Sequence, residues 1–374
     1  MKVVKVRTEE NKERYYVSNN EGYPVEPILK FIRFKDNTGY ARNTLKAYCY
    51  HLKSYFEYLE QRKLDFQEVT IDDLSLFVNW LQNPFKSLKV IPVNSLEKAR
   101  SNRTINQMIN SILIFYDYIL RHEKYNNDIS ERLKRFIRTP SRNYKGFLYG
   151  IAYNNSQITS HVLKLKEPKQ KPKTLNKNEI SRIVKACNNK RDEFLINLLF
   201  ETGLRIGEVL SLWIEDFDVT EQKLTLKDRG PLVNNSEIKT ISSPRNIDVS
   251  ADLLNFFMEY ICKYHTSEVK TNHVFIKISG KNIYKPMDYI NINDLFITLR
   301  KKTKIYVTPH MFRHTSLTLL SESGWKPEYL RRRAGHKNIY TTINTYIHPS
   351  DEKIQKEFKQ ISSKFSLETL MDGE

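Results

Sequence analysis

The chain has 374 residues, 40% of them hydrophobic, and a formal net charge of +18 at pH 7. That is enough apolar material for two domains with cores of their own, and it excludes a disordered chain. A positive excess of this size predicts a polyanionic partner. No apolar run reaches the length of a membrane span, no secretory leader opens the chain, and Cys49, Cys187 and Cys262 stand too far apart for a disulfide framework or metal cluster. These features predict a cytoplasmic protein.

Residues 1–23 carry two strand-like runs, Val3–Val6 and Tyr15–Val17, around a charged turn, the pattern of a small hairpin extension. Residues 24–138 then follow a helical period. Ile28, Phe31 and Ile32 mark one helix. Asn43-Thr44 opens a second, with Leu45, Tyr48, Leu52, Tyr55, Phe56 and Leu59 on its apolar face. Thr70 to Asp73 opens a third through Phe77 and Leu81. Ser101–Arg121 is a fourth, with Ile105, Met108, Ile109, Ile112 and Phe115 inward. Arg42, Lys46, Arg100 and Arg103 crowd the helix starts, where backbone N–H groups and side-chain cations together suit phosphate. For any one of them, an ordinary solvated face explains the residue as well.

Residues 139–173 show no clear period. Lys164, Lys166, Lys169, Lys171 and Lys173 alternate near Pro168 and Pro172, which predicts an extended, basic interdomain linker. A second domain is expected over 174–349. Asn176–Asn188 and Arg191–Thr202 read as helices, and Gly203 is a natural C-terminal stop. Arg205 follows, with Glu208 one turn later on the same face. A carboxylate that ties down a buried arginine makes a preorganised anion site, although the same pair also serves as structural support. Leu224, Leu226, Ile238 and Ile247–Val249 alternate like strands of a small antiparallel sheet, and Lys239 falls in its hairpin region. On such an element a lysine can donate a proton to a leaving oxygen, but most lysines are simply solvated. Ala251–Tyr264 and Ile292–Lys302 read as helices covering the sheet.

The stretch Val307–Pro349 is the densest in chemistry. Thr308 offers a hydroxyl cap and Pro309 occupies the first helical position, so His310 and Arg313 share one face of the helix that follows. Gly324 interrupts the pattern. A second run carries Arg331, Arg332 and Arg333 to Gly335-His336, and a third ends at Tyr346. A hydroxyl nucleophile beside fixed cations and imidazoles suits phosphoryl transfer, whose transition state spreads negative charge over its oxygens. Singly, each of these residues has an ordinary explanation; their joint spacing does not. Residues 350–374 form a tail in which Ile354, Phe358, Ile361 and Phe365 share one helix face, suited equally to a neighbouring protomer or to the chain's own domain.

Arg205 in TGLRIGEVLSL, Lys239 in IKTISSPR, His310 and Arg313 in TPHMFRH, His336 in AGH and Tyr346 in TTINTYIH resemble, in order and spacing, the signature of the tyrosine recombinase (lambda-integrase-like) family. Within it, the IKTxxSxR hairpin and the long linker resemble the integrases and transposase A proteins of mobile elements. The resemblance implies a mainly α fold with a small antiparallel β-sheet, arranged as a two-domain C-shaped DNA clamp of a helical core-binding domain and a catalytic domain. It implies that Tyr346 is the nucleophile that forms a 3′-phosphotyrosyl bond, and that Arg205 and Arg313 clamp the non-bridging oxygens. Lys239 is then the general acid, His310 an acid/base near the tyrosine, and His336 a hydrogen-bond partner of the phosphate, with no metal or ATP required. It also implies DNA recombination sites as partners and a homotetramer in the synapse, with room for accessory proteins. Two alternatives stay open: a type IB topoisomerase acting on one duplex, and a non-catalytic DNA-binding regulator derived from a recombinase.

Overall fold

The structure, a computed structural model, describes residues 1–9, 13–83, 100–121, 163–168, 172–230, 232–234 and 243–347, the backbone of 134–137 and 158–161, and the isolated positions 236, 238, 355, 358 and 359. The chain divides into two compact units, 1–169 and 170–374. No helix among the described residues is long and apolar enough to cross a membrane.

The first unit opens with an antiparallel hairpin, β1 (Lys2–Arg7) and β2 (Glu13–Ser18), with Val3 opposite Val17. Val17 is buried against the helices α1 (Glu26–Asn37), α2 (Arg42–Arg62), α3 (Ile71–Gln82) and α4 (Asn102–Leu120). Local signals set the helix starts. Thr70 and Asp73 form a capping box on α3, with Asp73 N–H donating to Thr70 Oγ1 at 3.3 Å and Thr70 N–H to Asp73 Oδ2 at 2.9 Å. Ser101 caps α4 through Thr104 N–H at 3.2 Å. All the inward residues expected of these helices are buried, and all but Leu45 join one core. Its centre is polar only where it is satisfied: Tyr55 and Tyr116 join hydroxyls at 2.7 Å, and Tyr116 donates to the carbonyl of Phe66 at 2.8 Å.

The stretch expected as an extended linker is more structured than its composition suggests. Its backbone at β4 (Ile158–His161) pairs antiparallel with β3 (Lys134–Ile137), inside the range expected to be helical. Residues 163–168 run along α4. Leu163 and Leu165 pack on the first core, and the Asn106 amide clasps both backbone groups of Leu165 at 2.9 Å. An asparagine on a helix reads as a polar surface position; its use as a strap depends on what passes over it.

The second unit is built around α6 (Lys190–Thr202), preceded by α5 (Lys177–Lys185). Phe194 lies at its heart against Phe217, Phe257, Tyr260 and Phe275. A short helix, α7 (Ile206–Leu210), leads to a three-stranded antiparallel sheet in the order β5 (Phe217–Asp218), β6 (Lys223–Leu226), β7 (Arg245–Asp248), with Leu224 opposite both Phe217 and Ile247. Ile238, expected in this sheet, is not in a strand, and Lys239 lies outside the described residues. Helix α8 (Ala251–Tyr264) covers the sheet, its Phe257 ring stacked on Phe217 at 4.1 Å. Helix α9 (Tyr289–Thr303) begins three residues earlier than the apolar pattern suggests, because Asp288 caps it, accepting from Ile290 N–H at 2.9 Å and Asn291 N–H at 3.1 Å.

The chain closes with α10 (Pro309–Glu322), α11 (Pro327–Ala334) and α12 (Ile339–Tyr346). Pro309 does start α10, but the expected cap does not form: Thr308 sits at the cap position with extended backbone, and its hydroxyl makes no cap hydrogen bond. In the tail, Ile354, Ile361 and Phe365 lie outside the described residues, and Phe358 is exposed.

Candidate active site

The site is assembled at helix ends. Helix α6 stops at Gly203, which adopts a left-handed φ of 64°, and α11 stops at Gly335 with φ of 60°, a conformation that glycine enters without a Cβ clash. These stops leave carbonyls without intrahelical partners, at the ends where the helix carries partial negative charge. Arginines fill them. Arg313, only 1% exposed, donates through Nη1 to the carbonyl of Gly203 at 2.8 Å and through Nη2 to that of Ala334 at 2.6 Å. Arg205 reaches the carbonyl of Gly335 at 3.4 Å. Burial, with the nearby Arg205 charge, brings the pKa of Arg313 down to about 10, which still leaves it cationic near neutrality.

Arg205 is held as its spacing predicts. Its Nη1 donates to Glu208 Oε1 and its backbone N–H to Glu208 Oε2, each at 2.9 Å, and its side chain remains 27% exposed. Glu208 is 2% exposed and also receives both terminal nitrogens of Arg245, at 3.2 and 3.1 Å. Burial opposes ionisation of Glu208, but the charges and hydrogen bonds of Arg245 and Arg205 prevail and hold its pKa below the usual carboxylate value.

His336 follows the α11 stop. Its Nε2 lies 3.0 Å from Arg313 Nη2, which can only donate, so Nε2 accepts and Nδ1 carries the proton, donating to Thr342 Oγ1 at 2.9 Å. Thr342 lies one turn before Tyr346 on the same face of α12, and both are buried. The Tyr346 and His336 rings stack with centroids 6.1 Å apart and planes 7° from parallel. Burial raises the pKa of Tyr346, while the charge and hydrogen bonding of Arg313 and the charge of Arg205 counter it. The structure thus gathers Arg205, Glu208, Arg313, His336 and Tyr346.

His310 stands at the exposed rim, on the first turn of α10, in a hollow of about 270 Å3 shared with Arg205, Glu208 and Tyr289. A separate cleft of about 790 Å3 is lined by His336, Arg245, Trp325, Tyr329 and Arg332.

One neighbour of Tyr346 was not singled out from sequence. The His314 ring lies 4.7 Å from that of His310 and 5.7 Å from that of Tyr346, and its buried Nδ1 has no hydrogen-bond partner among the described residues. The adjacent His in TPHMFRH was the available signal. Burial brings His336 and His314 down to about 4, helped by Arg313 at His336 and by His310 at His314.

Both rings therefore stay neutral in the fold at pH values where the unfolded chain takes up protons. The unfolded histidine titrates near 6.5, so stability falls as pH drops from there toward 4. Melting at pH 5 is expected below melting at pH 7.5, and the double variant His314→Gln/His336→Gln is expected to narrow the gap. Equal pH sensitivity in wild type and variant would assign the loss to other groups.

The basic residues expected at phosphate have varied surroundings. Arg42 is ion-paired with Glu13 at 2.7 Å, Lys46 lies over the Tyr15 ring, and Arg100 donates to the carbonyl of Leu81 at 3.3 Å and lies over Trp80. Arg103 and Lys173 are exposed, the latter near the ring of Tyr306. Lys169 and Lys171 lie outside the described residues. Among the described residues no group of three or more His, Cys, Asp or Glu is placed to hold a metal.

A buried and a part-exposed arginine on helix-end carbonyls, with an imidazole and a tyrosine at the end of a short helix, fit a phosphoryl-transfer enzyme of the tyrosine-nucleophile class. Comparison with known proteins agrees. The Phage integrase family pattern matches residues 173–353, and that of the phage integrase N-terminal SAM-like domain matches 28–124. Transposase A from transposon Tn554 of Staphylococcus aureus is 36% identical over 361 residues, 96% of this chain and 98% of the relative. Tyrosine recombinase XerD of Staphylococcus epidermidis is 24% identical over 336 residues, 90% and 97% of the two chains. The Tn1549 transposon integrase, solved in complex with circular intermediate DNA, shares the fold at a TM-score of 0.61 and 18% identity, over 89% of this chain and 98% of that one. The chain belongs to the phage integrase family and is a tyrosine-type site-specific DNA recombinase.

Proposed function

We propose that the protein cuts and rejoins duplex DNA at the ends of a mobile element, with Tyr346 as nucleophile. The observation that carries this reading is the buried Arg313, whose guanidinium joins two helix ends to His336 beside Tyr346. Fixed donors of this kind stabilise charge that develops on phosphate oxygens. Tyr346 Oη attacks phosphorus, the bond to the 5′ oxygen breaks, and a 3′-phosphotyrosyl bond forms. Lys239 gives the leaving 5′ oxygen its proton, and His310 takes the phenolic proton. The reverse steps rejoin the strand, and because the phosphotyrosyl bond retains the energy of the phosphodiester, no ATP is consumed. Tyr346 is 5% exposed, so its ring turns outward to reach the phosphate. Glu208 serves as structural support for Arg205.

On this reading Arg103, Lys169, Lys171 and Lys173 meet the DNA backbone directly, and Arg42, Lys46 and Arg100 do so from the helix starts that they also brace. Four protomers synapse two sites in the cytoplasm, and the tail at 350–374 joins neighbours. Affinity for duplex DNA is expected to fall steeply with salt, since each neutralised phosphate releases counterions. A flat dependence, measured by fluorescence anisotropy across salt, would contradict this. The function itself is tested with a supercoiled plasmid carrying two copies of the joined element ends. Recombinant circles are the expected product. Relaxation of a plasmid that lacks those sites, without recombinants, supports the type IB topoisomerase reading instead.

A further inference from the structure

We propose that Arg245 is a positioning residue for strand transfer: through Glu208 it sets the orientation of Arg205, and through the carbonyl of Arg333 it fixes the turn that carries His336. The inference rests on the reading of Arg205 and His336 as members of the catalytic site. Arg245 opens strand β7, and its side chain is 5% exposed. Every nitrogen of its guanidinium is used. Nη1 and Nη2 meet the two oxygens of Glu208 at 3.2 and 3.1 Å, Nη1 also meets the carbonyl of Ser243 at 2.7 Å, and Nε meets the carbonyl of Arg333 at 2.8 Å.

Three consecutive carbonyls at the end of α11 each receive a different arginine. Arg333 accepts from Arg245, Ala334 from Arg313 and Gly335 from Arg205. His336 is the next residue, so the first of these bonds sets the geometry of the other two and of the imidazole. Glu208 supplies the second link. Its buried carboxylate is shared between Arg205 and Arg245, and among the described residues nothing occupies Nε of Arg205. Without Arg245, the carboxylate is left with Arg205 alone, and a buried carboxylate closes on a single guanidinium in a two-pronged pair. That closure turns Arg205 away from a phosphate. Lysine cannot replace Arg245 fully, because one ammonium lacks the planar fork that reaches Glu208 and Arg333 together.

The test uses the full chain and a nicked suicide duplex, with either a phosphodiester or a methylphosphonate at the scissile position. A methylphosphonate replaces one non-bridging oxygen by a methyl group and lowers the charge that Arg205 must meet. Arg245→Gln is expected to keep wild-type DNA affinity and to slow cleavage of the phosphodiester by on the order of tenfold to a hundredfold, the range for outer partners that orient a functional group. The deficit should shrink on the methylphosphonate, and Arg245→Lys should recover part of the rate. Wild-type rates in Arg245→Gln, or an equal deficit on both substrates, would overturn the assignment. If Arg245→Gln does not fold, Arg245→Lys carries the test, and wild-type rates on both substrates overturn the inference. The underlying reading fails separately, when the unaltered protein forms no adduct or Tyr346→Phe still forms one.

Discussion

Arg313→Ala leaves DNA bound and nearly abolishes strand cleavage. Loss of one preorganised donor to a developing oxyanion costs on the order of 3 kcal/mol, about a hundredfold in rate. The loss at Arg313 goes further, because the carbonyls of Gly203 and Ala334 and Nε2 of His336 all lose their donor at once. Buried acceptors without partners also destabilise the fold. Arg313→Lys recovers little, since a single ammonium cannot span two helix ends and an imidazole. Arg205→Ala should slow cleavage by about a hundredfold with less effect on melting, because Arg205 is part-exposed and Glu208 keeps Arg245 as a partner. Single-turnover cleavage, with melting curves for each variant, separates the two contributions. Full activity in Arg313→Lys would count against a two-pronged clamp.

Much of this site was legible because it is local. The interval from His310 to Arg313 is one helical turn, and so is the interval from Arg205 to Glu208. A helix period places each pair on one face before any tertiary structure is known. Gly203 marked the end of α6, and the Arg205–Glu208 pair forms with its carboxylate buried, as its spacing implies. What stayed hidden is mostly non-local. Arg245 closes the IKTxxSxR stretch, but its partners Glu208 and Arg333 stand 37 and 88 residues away, so the sequence shows the arginine and not what it holds. The acceptors at Arg333, Ala334 and Gly335 are backbone carbonyls and leave no mark on side-chain pattern. Residues 163–168 read as linker because the Asn106 strap that holds them is contributed by another element. Two misreadings were local. Asp288, three residues before Asn291, is a polar start signal for α9 that the apolar period alone does not carry. Thr308 precedes a proline that starts α10 without its hydroxyl.

Tyr346→Phe removes a single oxygen and is expected to abolish covalent chemistry while the fold and DNA binding persist. The ring that stacks on His336 at 6.1 Å is kept, and so is the apolar environment of Leu317, Leu330 and Ala334. The phenol is not required for packing, so its loss reports on chemistry. Tyr340, 67% exposed on the first turn of the same helix, is the alternative nucleophile. The decisive measurement is covalent trapping on a nicked suicide duplex, followed by digestion and mass spectrometry of the DNA-linked peptide. The result expected is a 3′-phosphotyrosyl adduct in the wild-type protein, mapped to Tyr346 and absent from Tyr346→Phe. An adduct that persists in Tyr346→Phe, or that maps to Tyr340, would contradict the assignment of the active site.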